Sequence, residues 1–281
     1  MHVPWRKRVS RVLRGRLRSL ALSNHGFGVV AETENGVLVV DPRDFGVSRS
    51  LLSRGRYDRE AIAWLLSLVD HDSNIVFVGA HLGAVLVPVA VRSGARKIVA
   101  FEPVPNTHRL LTLNLALNGL SGVIAHQQAI GDTEGSVRFT QNAINTGNSR
   151  VSNTGEIVVP VSTLDEALKR EAWTRTDLLV LDTEGFEAHV MRGADRTLAQ
   201  TRYFYVEYAP DQLREQGSTP EEFVDLAASH FQSMYVHGSN GQFFPARTYV
   251  QYLRELPQRR ALLMNLLFSN DLQQNPKLGP V

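Results

Sequence analysis

The chain has 281 residues, 30 of them basic and 28 acidic, for a formal net charge of +2; that length buries a substantial core, and that balance excludes the global field of a typical nucleic-acid protein. There is no cysteine, which rules out disulfides, thiolate metal sites and a cysteine nucleophile. No stretch reaches the roughly 20 apolar residues that cross a bilayer, and the N-terminus lacks the apolar centre of a secretory signal, so a cytoplasmic protein is the expectation.

The first segment, MHVPWRKRVSRVLRGRLRSL, carries Arg6, Lys7, Arg8, Arg11, Arg14, Arg16 and Arg18 without an acid, while Val9, Val12, Leu13, Leu17 and Leu20 recur at helical spacing. A basic amphipathic helix is predicted. It suits anionic lipid, RNA or a second copy of the chain as a partner, or simple docking with a solvated face. Residues 26–46 read as short strands, with a hairpin turn at Glu34-Asn35-Gly36, forming a cap.

From Tyr57 onward helical and strand patterns alternate. YDREAIAWLLSLV predicts a helix, IVFVGA a buried strand, ALV to AVRSG a helix, KIVAFEP a strand, and PNTHRLLTLNLALNG a helix stopped by Gly119. VIAHQQAI follows, then a polar insertion, the strand DLLVLDTEG, the helix AHVMRGADRTLAQ, the strand YFYVEYA and the helix PEEFVDLAASHF. SMYVHGS and NLLFS are late strands, and residues 271–281 a loose tail. Apolar strands separated by helices pair in parallel with both faces covered, which predicts an α/β doubly wound sheet.

In such sheets ligands bind beyond the carboxyl ends of the strands. Gly79-Ala80-His81-Leu82-Gly83 stands at the first of these ends. A dinucleotide fingerprint needs glycine where His81 stands, and a third where Ala84 stands, so an imidazole would crowd the phosphates. No Gly-Lys-Ser or Gly-Lys-Thr follows for a Walker loop. Glu102 closes the next strand, about twenty residues on, where a carboxylate accepts hydrogen bonds from both ribose hydroxyls. That acid suits a nucleoside cofactor without phosphates there, such as S-adenosylmethionine; alone, it reads equally as an exposed strand-end acid.

The ordered series VGAHLG, AFEPVPNTHRLLTLNLALNG, AIGDTEGSVRF, NTGNSRV, VPVSTLDEAL, LLVLDTEGFEAHVMRGA and YVEYAP, over roughly residues 49–268, resembles the FkbM-type methyltransferases. The resemblance implies a class I methyltransferase fold, a Rossmann-like sheet of seven strands with the last, NLLFS, antiparallel. It implies S-adenosylmethionine as cofactor and O-methylation of a hydroxyl on a sugar, glycan or secondary metabolite, with no metal. The organisation expected is a basic helix and cap over 1–48, the methyltransferase domain over 49–270 and the tail over 271–281.

The cofactor contacts expected are Gly79, Ala80, His81 and Gly83 on the turn, Glu102, Pro103 and Asn106 after the second strand, Gln128, Ala129 and Ile130 after the third, and Asp182. The loop Asn145-Thr146-Gly147-Asn148-Ser149-Arg150 resembles a family loop bordering substrate, so Asn145, Ser149 and Arg150 are candidate substrate contacts. Glu207 and Tyr208 at the tip of YFYVEYAP are candidates to line the acceptor pocket, Tyr208 equally reading as core. Phe77 stands where the family usually carries an acid, His81 where it carries Asn, and Val180 where it often carries Lys.

Asp182 and Glu184 in LLVLDTEGFE are candidate bases, since an alkyl hydroxyl is a weak nucleophile near neutral pH. Two apart in extended chain, they project to one side, and mutual repulsion raises one pKa. The competing reading is that one of them caps the following helix. His237, an isolated histidine near a strand tip, is a poorer candidate. Two other readings stay open: a non-catalytic binding or scaffold protein that keeps the fold, motivated by Phe77 and Val180, and an RNA methyltransferase guided by the basic N-terminal segment.

Overall fold

The structure is a computed structural model that describes residues 28–140, 150–152, 154–237, 242–256 and 262–270. The expected basic helix and the tail lie outside the described residues, as do Asn145 and Ser149.

The chain enters on a hairpin, β1 (Val29–Thr33) and β2 (Gly36–Val40), paired antiparallel with Thr33 opposite Gly36. Gly36 adopts φ +118, which closes the turn. The open edge of β2 is covered by helix α4 (Pro105–Leu117) and its C-cap. Asn114 Oδ1 accepts from the Val39 N–H at 2.6 Å and its Nδ2 donates to the Val39 carbonyl at 3.1 Å. Asn118 repeats the pattern on Val37 at 3.1 and 2.8 Å. Four residues along a helix rise about 6 Å and two along a strand nearly 7 Å, so two asparagines one turn apart act as a neighbouring strand and satisfy an edge that would invite pairing.

Helix α1 (Val47–Arg54) follows, so the boundary expected at residue 48 falls within a helix. Then α2 (Arg59–Leu68) leads into alternating elements: β3 (Asn74–Val78), α3 (Leu86–Ser93), β4 (Lys97–Phe101), α4, and β5 (Val123–His126). After a side branch come α5 (Leu164–Arg170), β10 (Thr176–Leu181), α6 (Glu187–Arg192), α7 (Asp195–Ala199) and β11 (Thr201–Tyr208). The chain ends with α8 (Pro210–Glu215), α9 (Pro220–His230), β12 (Ser233–Val236), β13 (Gln242–Phe244), α10 (Tyr249–Glu255) and β14 (Met264–Ser269).

The main sheet runs β13-β12-β14-β11-β10-β3-β4-β5. Strands β11, β10, β3, β4 and β5 are parallel, and β14 is antiparallel to both β11 and β12. The doubly wound expectation holds, and NLLFS is the antiparallel strand. The strand count is corrected from seven to eight: β13 folds back antiparallel on β12 and adds an edge.

Alternation explains why these strands are apolar throughout. Ile75, Phe77, Leu178, Val180, Tyr203 and Tyr205 face a core with α1 to α4 and the hairpin, while Val76, Val78, Leu179, Leu181, Phe204, Val206 and Tyr208 face a second core with α5 to α10. Leu38 and Val40 of the hairpin share the first core, so the hairpin packs into the same body.

The polar insertion is a second sheet. The chain leaves the main sheet between His126 and Ala129, and β6 (Ala129–Gly131), β7 (Gly135–Thr140), β8 (Arg150–Val151) and β9 (Ile157–Thr163) assemble in the order β6-β9-β7-β8 over a small core of Val104, Ala129, Phe139, Val159 and Val161. The single helix expected over AHVMRGADRTLAQ divides into α6 and α7 at Gly193, where an added Cβ would stand 2.1 Å from the Gly131 carbonyl oxygen.

Candidate active site

The strand tips are tied side to side. The Gly79 and Ala80 N–H groups donate to the Phe101 carbonyl at 2.9 and 3.0 Å, the Asp182 N–H to Val78 at 3.0 Å, and the Glu102 N–H to His126 at 3.1 Å. Gly79 adopts φ +85, and an added Cβ would lie 1.7 Å from the Asp182 carbonyl oxygen. The glycine is therefore needed first for the approach of β3 to β10, before any ligand is considered.

Beyond these tips opens one cavity. Its walls include Gly79, Ala80, His81, Glu102, Pro103, Gln128, Ala129 and Ile130, together with Asp182, Glu184 and Glu207. The fold thus brings most of the residues selected from sequence to one place. Three of them it does not. Asn106 is an exposed residue on the first turn of α4 and does not line the cavity. Gly83 also stands off the wall: it adopts φ +87, and an added Cβ would lie 2.9 Å from Leu111 Cδ1. Tyr208 is 1% exposed and packs on Phe223 at 5.0 Å, because the alternation that aims Tyr205 and Glu207 at the cavity sends Tyr208 to the opposite core. Arg150 falls in β8, beside the cavity residue Val151; its side chain is outside what the structure describes.

At one end Glu102 is buried, its Oε2 accepting from the His81 N–H at 2.9 Å and its Oε1 from the Val104 N–H at 3.0 Å. Burial pushes its carboxyl up to about 7, the two N–H groups restraining the rise. His81 sits at φ +50, and burial lowers its imidazole to about 4 against the opposing charge of Asp44. A neutral imidazole and a carboxylate fixed by backbone donors leave each Glu102 oxygen a lone pair for a ligand hydroxyl. Val104, Ala129, Ile130, Phe139 and Val151 add an apolar wall beside it.

The other end is acidic. Asp182 is accessible from the cavity yet enclosed by its walls; this enclosure, then the repulsion of Glu207, Glu184, Glu187 and Asp58, raises its carboxyl well above the usual range. Burial and the repulsion of Glu184, Glu187 and Asp58 push Glu207 up to about 8. Glu184 stands at φ +55 in the turn after β10, not in extended chain, and its Oε2 accepts from Gln212 Nε2 at 3.0 Å. Neither Asp182 nor Glu184 caps the following helix, whose N-cap Phe186 makes no side-chain cap bond; instead Glu187 reaches back into the turn, its Oε1 accepting from the Thr183 and Gly185 N–H groups at 2.9 and 3.2 Å and from the Thr183 hydroxyl at 3.0 Å.

Four wall residues carried no sequence signal. Tyr57 and Asp58 come from the start of α2, Tyr205 from β11 and Asn265 from β14, opposite Glu207 in register. Asp58 reads locally as an N-cap, accepting from the Ala61 N–H at 3.3 Å. His237 is not on the wall; it stacks on Trp64 at 4.7 Å behind Tyr205. Phe77 and Val180, two of the three departures from family pattern, are register partners on adjacent strands and form an apolar floor.

Residues 78–237 match the Methyltransferase FkbM domain. Methyltransferase 1 of Beauveria bassiana is 30% identical over 147 residues, covering 44% of this chain and 59% of that protein. The hexuronic acid methyltransferase AglP of Haloferax volcanii is 25% identical over 153 residues, covering 54% and 62%. The 2-O-methyltransferase NoeI of Sinorhizobium fredii is 26% identical over 151 residues, covering 47% and 62%. The chain thus spans about three fifths of the length of these relatives. Among solved structures, the FkbM methyltransferase of Methylobacillus flagellatus KT aligns with a TM-score of 0.47 at 14% identity, over 72% of this chain and 47% of that one. With the domain matched over more than half of its residues, the chain belongs to the FkbM methyltransferase family.

Proposed function

We propose that this chain is an S-adenosylmethionine-dependent O-methyltransferase acting on a hydroxyl of a sugar, glycan or other small secondary metabolite. The observation that carries the reading is the Glu102 carboxylate, fixed by the His81 and Val104 N–H groups beside the Gly79 turn. The family and the relatives named for hexuronic acid methylation and 2-O-methylation support it.

Bound S-adenosylmethionine supplies an electrophilic methyl on a sulfonium. In this reading Glu102 accepts from both ribose hydroxyls, and Gln128, Ala129 and Ile130 flank the purine with Phe139 and Val151. Gly79, Ala80 and His81, which line the cavity next to Glu102, would hold the rest of the cofactor. The acid missing at Phe77 leaves the floor apolar, so charged contacts come from the neighbouring tip, Asp182. Asp182 also takes the proton of the acceptor hydroxyl: its raised pKa brings a carboxylate towards the operating pH, where a general base is effective. Glu184, held by the Gln212 Nε2 donor at 3.0 Å, occupies the adjoining position and orients the acceptor. The apolar floor of Phe77 and Val180 keeps water from the methyl.

Isothermal calorimetry with S-adenosylmethionine on the intact chain and on Glu102→Ala tests the reading. Binding in the first and a loss of about tenfold or more in the second is expected, the size of a lost pair of charge-assisted hydrogen bonds. No binding at millimolar cofactor, or equal affinity in the two, overturns it.

A further inference from the structure

The four carboxylates that line the cavity beyond Gly79 outnumber what a methyl donor can neutralise. Asp58, Asp182, Glu184 and Glu207 all face this space, and among the described residues of the wall there is no Lys or Arg. S-adenosylmethionine brings an ammonium and a sulfonium against its own carboxylate, a net single positive charge. The surplus lies at a particular place. Adjacent strands are about 4.8 Å apart, so Glu207 stands three strands, roughly 14 Å, from the Glu102 tip. An aminoacyl arm leaving a ribose at Glu102 crosses β3 and reaches β10; β11 lies beyond it.

A second observation marks the same place. Tyr205, two residues before Glu207 on the same strand face, is 7% exposed, and among the described residues its hydroxyl has no hydrogen-bond partner. Its ring is held edge-on by Trp64 at 5.7 Å, so the phenol is fixed in the cavity wall with its oxygen unused. Buried hydroxyls are ordinarily partnered.

We infer that the β11 end of the cavity, formed by Glu207, Tyr205 and Asp58, binds the ammonium of an amine-bearing acceptor, an amino sugar or amino alcohol, whose hydroxyl then faces Asp182. The inference rests on the methyltransferase reading above. An ammonium has three donors, and Glu207, Asp58 and the Tyr205 oxygen offer three acceptors. Held in this way the nitrogen keeps its proton and has no free lone pair, so it anchors the acceptor and the hydroxyl remains the nucleophile. A uronate or phosphorylated acceptor would meet only carboxylates at this end and be rejected. Burial and neighbouring charge hold Glu207 protonated up to about 8 in the empty cavity, so an arriving ammonium displaces a proton.

The test is calorimetry on the intact chain saturated with S-adenosylhomocysteine, using two matched series: 2-aminoethanol, ethylene glycol and glycolate, then methyl glucosaminide, methyl glucoside and methyl glucuronide. The amine of at least one series is expected to bind roughly tenfold or more tighter than its neutral partner, as a charge-assisted hydrogen bond provides, with proton release seen as a dependence of the heat on buffer ionisation enthalpy. The preference is expected to fall below about threefold in Glu207→Gln and Tyr205→Phe, each shown folded by its melting transition. Amines that bind no tighter than their neutral partners, undetectable binding of every probe included, overturn the inference while the methyltransferase reading stands. Failure to take up S-adenosylhomocysteine overturns both.

Discussion

Asn35 and Tyr57 are joined by two reciprocal hydrogen bonds: the Tyr57 N–H donates to Asn35 Oδ1 at 2.9 Å, and Asn35 Nδ2 donates to the Tyr57 carbonyl at 2.8 Å. The same Nδ2 donates to the Ala84 carbonyl at 2.7 Å. One buried side chain in the hairpin turn therefore fixes both the entry to α2, where Tyr57 and Asp58 line the cavity, and the end of the glycine turn. Asn114 holds that turn again through the Leu82 carbonyl at 2.8 Å.

Asn35→Ala is expected to cost about 2–3 kcal/mol in chemical denaturation, because it strands buried backbone groups as well as deleting the bonds to them. Cofactor affinity should fall with it, although Asn35 is not a wall residue. Unchanged stability would show that the hairpin is dispensable.

Gly79→Ala and Gly83→Ala are expected to differ. The first drives a Cβ to 1.7 Å from a backbone oxygen that cannot yield, and should cost more than about 4 kcal/mol or prevent folding. The second meets the Leu111 Cδ1 at 2.9 Å, the movable end of a side chain, and should cost about 1–3 kcal/mol through its positive φ. Melting transitions of the two variants decide it.

Glu102 and Glu207 have carboxyl groups raised to about 7 and about 8 from 4.5. The folded state therefore holds protons that the unfolded chain releases, and the stability they contribute is fully present below about 4.5 and lost as pH rises through 7 and 8. The melting temperature of the ligand-free protein is therefore expected to lose this contribution between about pH 4.5 and pH 8, the span those values bracket. Glu207→Gln should remove the upper part of that loss. A melting temperature that rises over this range contradicts the assignment. Cofactor binding should run the other way, tightening as Glu102 ionises through about 7 and becomes an acceptor for both ribose hydroxyls.

Asp182→Asn is expected to lower kcat by about 100-fold, the usual contribution of a positioned base, and to weaken binding of S-adenosylhomocysteine by about tenfold, the charged contact to its ammonium being lost as well. Glu187→Gln should instead loosen the turn it reaches into and reduce stability, since its Oε1 serves three donors there. A similar kcat loss in both variants at equal stability would assign Asp182 a structural role.

The sequence by itself determined the layered architecture, the glycine turn and the acid at the tip of β4, because period, Gly and strand-end signals are local; that NLLFS runs antiparallel followed only from the family resemblance. It also carried the family, because an ordered series of weak motifs is specific where each alone is not. Only the tertiary structure decided which neighbours share the cavity. Strand alternation separates Glu207 and Tyr205 from Tyr208, and a left-handed turn, with Glu187 bonded into it, re-aims Glu184. Tyr57 and Asp58 arrive from an N-terminal helix through the grip of Asn35, a contact 22 residues apart in sequence. The orphan hydroxyl of Tyr205 and the concentration of carboxylates have no sequence pattern at all, because burial and mutual repulsion arise only when distant strand tips are brought side by side.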